Sequence, residues 1–231
     1  MKLISRLKYF SKGELILFVS SILTISISFI LFDRENYVTL IASLIGATSL
    51  IFCAKGNSIG QFLMIIFGLI YGIISFTFAY YGEVITYVGM TVPMSVIALI
   101  SWLKNPYKGN KSEVAVSRIK GKEILFMFII SALVTAVFYF ILKFFGTANL
   151  LPSTISVTTT FIAVYLTARR SPYYALAYAA NDIILIILWI LATATDISYL
   201  SVIICFVTFL INDLYGFYNW LRMEKKQQKG L

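Results

Sequence analysis

The chain reads as eight long apolar runs separated by short polar breaks. The runs cover Glu14–Phe32, Tyr37–Ala54, Ser58–Tyr81, Val84–Leu103, Glu123–Phe144, Leu150–Thr167, Tyr173–Ala194 and Ile197–Leu221. About 20 apolar residues at a rise of about 1.5 Å cross the ~30 Å hydrocarbon layer of a bilayer as one α-helix. The expectation is an all-α polytopic membrane protein with eight transmembrane helices. The breaks are the places where a chain turns around: Asp33 to Asn36, Lys55-Gly56-Asn57, Tyr81-Gly82-Glu83, Gly146 to Asn149, Arg169 to Pro172 and Thr195-Asp196. One longer stretch, Asn105 to Lys122, carries Pro106, Gly109 and Gly121 and reads as a hinge-like loop between four spans and four.

Composition agrees with this reading. Hydrophobic residues make up 60% of the chain and charged ones 13%. A soluble domain carries about 25% charged residues, so a soluble enzyme, a disordered chain and a small secreted scaffold are excluded. The net charge of +9 would suggest a nucleic-acid partner if the charges clustered on a soluble face, but they sit between spans. With both termini on one side, 17 of the 19 basic residues fall on that side, leaving Arg34 and Lys143 on the other. The excess of Lys and Arg in cytoplasmic loops makes that side the cytoplasm. The charge therefore reports topology, with anionic lipid headgroups as a further partner, and no nucleic acid. The amino-terminal run has no small-residue cleavage site and is expected to be retained as a span. Cys53 and Cys205 each lie within an apolar run and read as packing residues, not a disulfide or a metal pair. There is no histidine, hence no usual general base or commonest metal ligand.

A weak internal repeat links the halves. Ser101-Trp102-Leu103-Lys104 and Asn219-Trp220-Leu221-Arg222 each close a span, 118 residues apart. The same offset pairs Tyr71 with Trp189, and Ala54 and Ala168 open basic turns at an offset of 114. The organisation expected is one membrane domain over 1–231. An extra amino-terminal span (14–32) precedes a three-helix repeat (37–103), a linker helix (123–144) and a second three-helix repeat (150–221). Two units that begin on the same side are parallel repeats, a known transporter plan with the substrate site between them.

Two acidic residues lie within spans: Asp182 and Asp213, each after an asparagine, as Asn181-Asp182 and Asn212-Asp213. Both dyads fall about nine residues, or ~13 Å, from the cytoplasmic ends of their helices. An aspartate at that depth costs a few kcal/mol on insertion scales and must face protein or a water-filled cavity. Either the dyads line a polar site, or they hydrogen-bond the two helices together. Tyr178, Asp182, Ile186 and Trp189 share one face of the seventh span. Thr208, Asn212, Tyr215 and Asn219 share one face of the eighth, with Asp213, Gly216 and Trp220 on the neighbouring stripe. Aromatic faces and amides on such a surface suit a flat, polar heteroaromatic ligand, cationic ones included. Gln61 and Tyr71 add polar candidates from the third span. Pro93, in Thr91-Val92-Pro93-Met94, predicts a kink in the fourth, either static or gating. Thr158-Thr159-Thr160 in the sixth bond back to their own helix or line a polar path.

No phosphate-binding loop of the form G-x-x-x-x-G-K-[ST], nucleophile elbow, H-E-x-x-H or C-x-x-C is present. Neither a catalytic residue nor a metal or other cofactor is expected. The remote alternatives are an intramembrane aspartyl hydrolase using Asp182 and Asp213 and a membrane scaffold that transports nothing.

Tyr71-Gly72, Tyr81-Gly82-Glu83, Pro93-Met94 and Ser101 to Asn105, together with Asn212-Asp213-Leu214-Tyr215-Gly216-Phe217-Tyr218-Asn219-Trp220, give the chain a resemblance to the PnuC family of vitamin transporters. It covers spans 2 to 8. The resemblance implies a SWEET-like 3+1+3 arrangement in a bacterial inner membrane and a homo-oligomer, a trimer. It implies facilitated diffusion (uniport) of nicotinamide riboside by alternating access, with trapping by a separate cytoplasmic kinase. Relatives carry thiamine, riboflavin or other nucleosides, so these substrates stay open. Ligand contacts carried over by resemblance are Asn181, Asp182, Trp189, Asn212, Asp213 and Tyr215, with Tyr178 beside a single Trp where the family often has two.

Overall fold

A computed structural model describes residues 9–77, 84–147, 149–194 and 196–230. The expected end of the third run at Tyr81, the Tyr81-Gly82-Glu83 turn, Thr195 and the basic residues Lys2, Arg6 and Lys8 lie outside the described residues. Eight helical spans are present: α1 (Lys12–Phe32), α2 (Tyr37–Ala54), α3 (Ser58–Thr77), a π-helical segment (Ile85–Thr91) that runs into α4 (Val92–Lys104), α5 (Gly121–Phe144), α6 (Leu150–Ala168), α7 (Tyr174–Thr193) and α8 (Leu200–Gln228). A short hairpin, β1 (Pro106–Tyr107) and β2 (Asn110–Val114), lies between α4 and α5.

Local chemistry fixes where these helices begin and end. α1 starts with a capping box: the Glu14 amide donates to Ser11 Oγ (3.2 Å) and the Ser11 amide to Glu14 Oε2 (2.6 Å). α2 stops where Gly56 takes φ +65°, the left-handed turn that glycine enters without a Cβ clash. The equivalent turn after α6 is made by Arg170 at φ +58°. Pro93 follows closely on the π-segment inside a continuous helical stretch, where its missing amide N–H leaves the preceding turn without one bond. The disturbance expected there takes the form of the seven-residue π-segment just before it.

Packing pairs the helices in two groups. α3 lies against α2 and α4, and α7 against α6 and α8. The groups meet through α8 on α2 and α4 on α6. α1 lies across α8 and α2, and α5 rests on α6. Large apolar side chains of α1 (Ile16, Leu23, Ile30) and α5 (Leu125, Leu133, Phe140) are more than half exposed, a surface that only a bilayer or another apolar face can cover.

The face with the basic loops is tightly tied. Trp102 Nε1 donates to the Thr167 carbonyl (2.9 Å) and Ser101 Oγ to that of Ala168 (2.7 Å). Trp220 Nε1 donates to the Cys53 carbonyl (2.8 Å) and Asn219 Nδ2 to that of Ala54 (2.8 Å). Each group thus lends the end of its third helix to the end of the other's first. The donors are 118 residues apart and the acceptors 114, the two offsets of the sequence repeat. The indoles touch one another with ring centres 5.3 Å apart, and Tyr174 packs edge-on against both. The central stretch is a strap, not the expected hinge. The Val114 amide donates to Gly56 O (3.0 Å), the Ser117 amide to Arg170 O (3.0 Å), and Gln227 bonds Val114 and Val116.

Candidate functional site

On the opposite face a cavity of about 390 Å³ opens between the α1–α2, α5–α6 and α7–α8 turns. Asp33, Asn36, Thr147, Asn149 and Tyr199 line its mouth, and Tyr71, Trp189, Cys205 and Ser75 its walls. Its size is within the range that holds small ligands. Beneath it lies a pocket of about 60 Å³ that shares Phe67, Ser153, Leu185, Phe206 and Phe209 with it. Asn181, Asp182, Asp213, Tyr178, Thr86, Tyr87 and Thr91 line this inner pocket. The π-segment supplies the last three; its wider turn presents Thr86, Tyr87 and Thr91 to one space.

Asp182 of α7 and Asp213 of α8 are each 4% exposed and line the same inner pocket. Asp182 Oδ2 is buried with no hydrogen-bond partner. Asn181 is held from one side: Oδ1 accepts the hydroxyls of Thr159 (2.8 Å), Thr160 (3.0 Å) and Ser156 (3.2 Å). That grip fixes the amide plane. The threonine run of α6 therefore holds a site residue, except Thr158, which pairs with Thr135 (2.7 Å). Among the described residues no lysine or arginine lines either space, and the charged groups there are Asp33, Asp182 and Asp213.

Six of the nine sequence-selected contact residues converge here: Tyr71 and Trp189 in the outer cavity, Tyr178, Asn181, Asp182 and Asp213 in the inner pocket. Trp189 packs against Tyr199 (5.2 Å) and Tyr71 against Tyr87 (4.5 Å), so both rings have a fixed backing. Three residues lie elsewhere. Asn212 Nδ2 donates to Ser21 Oγ (2.8 Å) and to the Thr208 carbonyl (2.8 Å), tying α8 to α1. Tyr215 donates to Glu14 Oε1 (2.9 Å), itself bound by Lys55 (2.9 Å). Gln61 donates to Cys53 Sγ (3.2 Å) between α2 and α3. Asn212 and Tyr215 thus face the extra helix α1, and Asp213, on the neighbouring stripe, lines the inner pocket. Pro93 lines neither space. Sequence reasoning missed Asp33 and Asn36 at the mouth, because a polar turn residue is ordinarily a solvated one. It also missed Tyr199, although its position beside Trp189 follows from the short α7–α8 break.

Among the described residues no cluster of His, Cys, Asp or Glu could hold a metal ion. Cys53 and Cys205 are both free and buried.

A cavity between membrane-spanning helices, open on one face and closed on the other by paired tryptophans, has the form of a solute transporter. Residues 36–222 match the model of the nicotinamide mononucleotide transporter family, and the chain belongs to that family, the PnuC transporters. It is 24% identical over 200 residues to the nicotinamide riboside transporter PnuC of Neisseria mucosa, covering 84% of this chain and 76% of that protein. It is 21% identical over 193 residues to PnuC of Haemophilus influenzae, covering 83% and 82%. A crystal structure of the vitamin B3 transporter PnuC shares the fold with a TM-score of 0.80 at 21% identity, over 94% of each chain. The family is one of transporters. The two aspartates therefore do not mark a hydrolase, although two carboxyls lining one pocket would suit one.

Proposed function

We propose that this chain imports nicotinamide riboside across a bacterial inner membrane by alternating access, with both termini in the cytoplasm. The observation that carries the substrate is the charge of the cavity. The family description names the mononucleotide and the relatives' names the riboside, and the two differ by a phosphate. A phosphate of nearly two negative charges, withdrawn from water, needs Lys, Arg or a helix N-terminus beside it. The described lining has helix N-termini only at its outer mouth, at Asn36, Asn149 and Tyr199, no Lys or Arg, and aspartates in the inner pocket. The riboside has a pyridinium cation, which the aspartates balance and the aromatic rings of Tyr71 and Trp189 attract. Asn181 is placed to read the carboxamide or ribose hydroxyls.

The basic loops put the sealed tryptophan face in the cytoplasm, so the form described opens outward. Transport follows the substrate's own gradient without ATP, in keeping with the missing phosphate-binding loop. Two three-helix units, 37–103 and 150–221, rock about the inner pocket, with 123–144 as the linker. By family resemblance, the transporter is a homotrimer and a separate cytoplasmic kinase traps the product.

The test is uptake of labelled nicotinamide riboside by purified protein in liposomes without ATP. Expected is saturable uptake that nicotinamide mononucleotide does not compete for and that Trp189→Ala lowers at least tenfold. Uptake of thiamine, riboflavin or another nucleoside in place of the riboside overturns the substrate assignment.

A further inference from the structure

We infer that a pocket between α1 and α8, on the face with the basic loops, is a phosphate site that takes the headgroup of an anionic phospholipid. It lies apart from the solute cavity and does not depend on the solute carried. The pocket measures about 660 Å³. Tyr9, Phe10 and Ser11, just ahead of α1, line it together with Lys55 of the α2–α3 turn and the carboxyl-terminal part of α8. Tyr9 is held in place by its hydroxyl, which accepts from Asn57 Nδ2 (3.0 Å) and donates to the Ser112 carbonyl (3.2 Å).

The charges of the pocket do not cancel. Its lining holds four cations, Lys55, Arg222, Lys225 and Lys226, against two carboxylates, Glu14 and Glu113. Both carboxylates are engaged. Glu14 binds Lys55 through its two oxygens (3.0 and 2.9 Å) and also accepts from Tyr215 and the Ser11 amide. Glu113 accepts from Gln227 Nε2 (3.0 Å). Glu224, the acid between the α8 cations in sequence, is buried, and Arg118 grips both of its oxygens (2.6 and 3.1 Å). Arg222, Lys225 and Lys226 therefore have no carboxylate partner among the described residues. A phosphate oxygen is the acceptor that such a group of ammonium and guanidinium donors binds most strongly.

Position along the helix selects a lipid as the source of that phosphate. Residues 211, 214, 218, 222 and 225 recur at intervals of three and four, so they form one stripe of α8. Its first three members, Ile211, Leu214 and Tyr218, are apolar or aromatic and 49–59% exposed. Arg222 and Lys225, both exposed, continue it at the end of the span. The stripe thus runs from an acyl-chain surface to a phosphate surface, the order of groups in a phospholipid. Sorting of Lys and Arg to one side accounts for the face on which these cations lie. The dipole of α8 favours Lys225 and Lys226 in its last turn. Neither effect places Arg222 in one pocket with them, above an exposed apolar stripe, and a basic pocket between spans is the form of an anionic-lipid site.

The test titrates purified protein in detergent with phosphatidylglycerol or phosphatidylcholine and reads the bound lipid by native mass spectrometry. One phosphatidylglycerol per chain is expected to bind at least tenfold more tightly than phosphatidylcholine. R222Q/K225Q/K226Q, at three exposed positions, is expected to remove that preference. K104Q/K108Q/K111Q deletes as many charges from the same face outside the pocket and is expected to keep it. Equal losses in the two variants would show a diffuse effect of surface charge and overturn the site, as would a wild type without preference. Inorganic phosphate and glycerol 3-phosphate present the same group without acyl chains, and neither is expected to displace the lipid at millimolar concentration. Displacement by either would assign the pocket to a free phosphate and overturn the lipid. The wild-type titrations decide the matter even if a variant fails to fold.

Discussion

At the scale of single residues, the turns after α2 and α6 make a matched experiment. Gly56 and Arg170 occupy the same left-handed turn in the two halves, at φ +65° and +58°. A Cβ on Gly56 would lie 2.7 Å from Met223 Cε. Gly56→Ala is therefore expected to lose about 1–2 kcal/mol in detergent unfolding. Arg170→Gly relieves the strained backbone and removes a guanidinium whose Nε is buried without a partner. It is expected to leave the melting temperature unchanged or higher. Tyr215→Phe tests the reassignment of that side chain: loss of its bond to Glu14 costs about 2 kcal/mol in thermal unfolding, and riboside affinity by calorimetry stays unchanged. The Asn-Asp dyads were legible in the sequence because an aspartate at membrane depth has few innocent explanations. Which neighbour serves the cavity was not legible. Asn212 and Asp213 are about 100° apart on one helix, and only the position of α1 decides which lines the pocket and which faces Ser21.

At the scale of elements, the tryptophan seal is the part with most at stake. Trp102 and Trp220 are fully buried, and each carries one hydrogen bond across to the other group. Trp102→Phe and Trp220→Phe keep a ring in place and delete that bond, at a cost of about 1 kcal/mol each. Opening of the basic face requires both bonds to break, so either variant shifts the resting population toward the open-inward form. The expected readout is faster labelling of Cys53, whose carbonyl is one of the acceptors, by a membrane-impermeant thiol reagent on that face. Equal labelling of wild type and variants would show that the seal does not hold the equilibrium. The sequence carried the helix ends involved, because Trp at 102 and 220 and the basic turns at 54 and 168 repeat at near-equal spacing. It did not carry the exchange of partners between halves, since a repeat states likeness and not contact. Nor did it carry the π-segment: Pro93 marks a disturbance, but the direction of overwinding or underwinding depends on what Thr86, Tyr87 and Thr91 pack against.

At the scale of the whole molecule, two buried cysteines report on opposite doors. Cys205 lines the outer cavity and Cys53 lies in the seal. In the described form a small cationic thiol reagent is expected to reach Cys205 from the face opposite the basic loops, with riboside slowing the reaction several-fold, while Cys53 stays protected. Labelling of Cys53 first, or no protection by riboside, would place the resting state or the site elsewhere. The eight spans were readable from the runs alone, because a bilayer imposes their length. The cavity was not, since it is a space between α2, α3, α6, α7 and α8 that no run of residues encodes. The reciprocal lending of the third helix's tryptophan has one more consequence. An exchange in which each half gives what it receives is the isologous contact of a twofold dimer. A chain of three such helices, with no linker and no extra span, already holds both the donor and the acceptor of the seal. Two copies of it could close a door that neither could close alone.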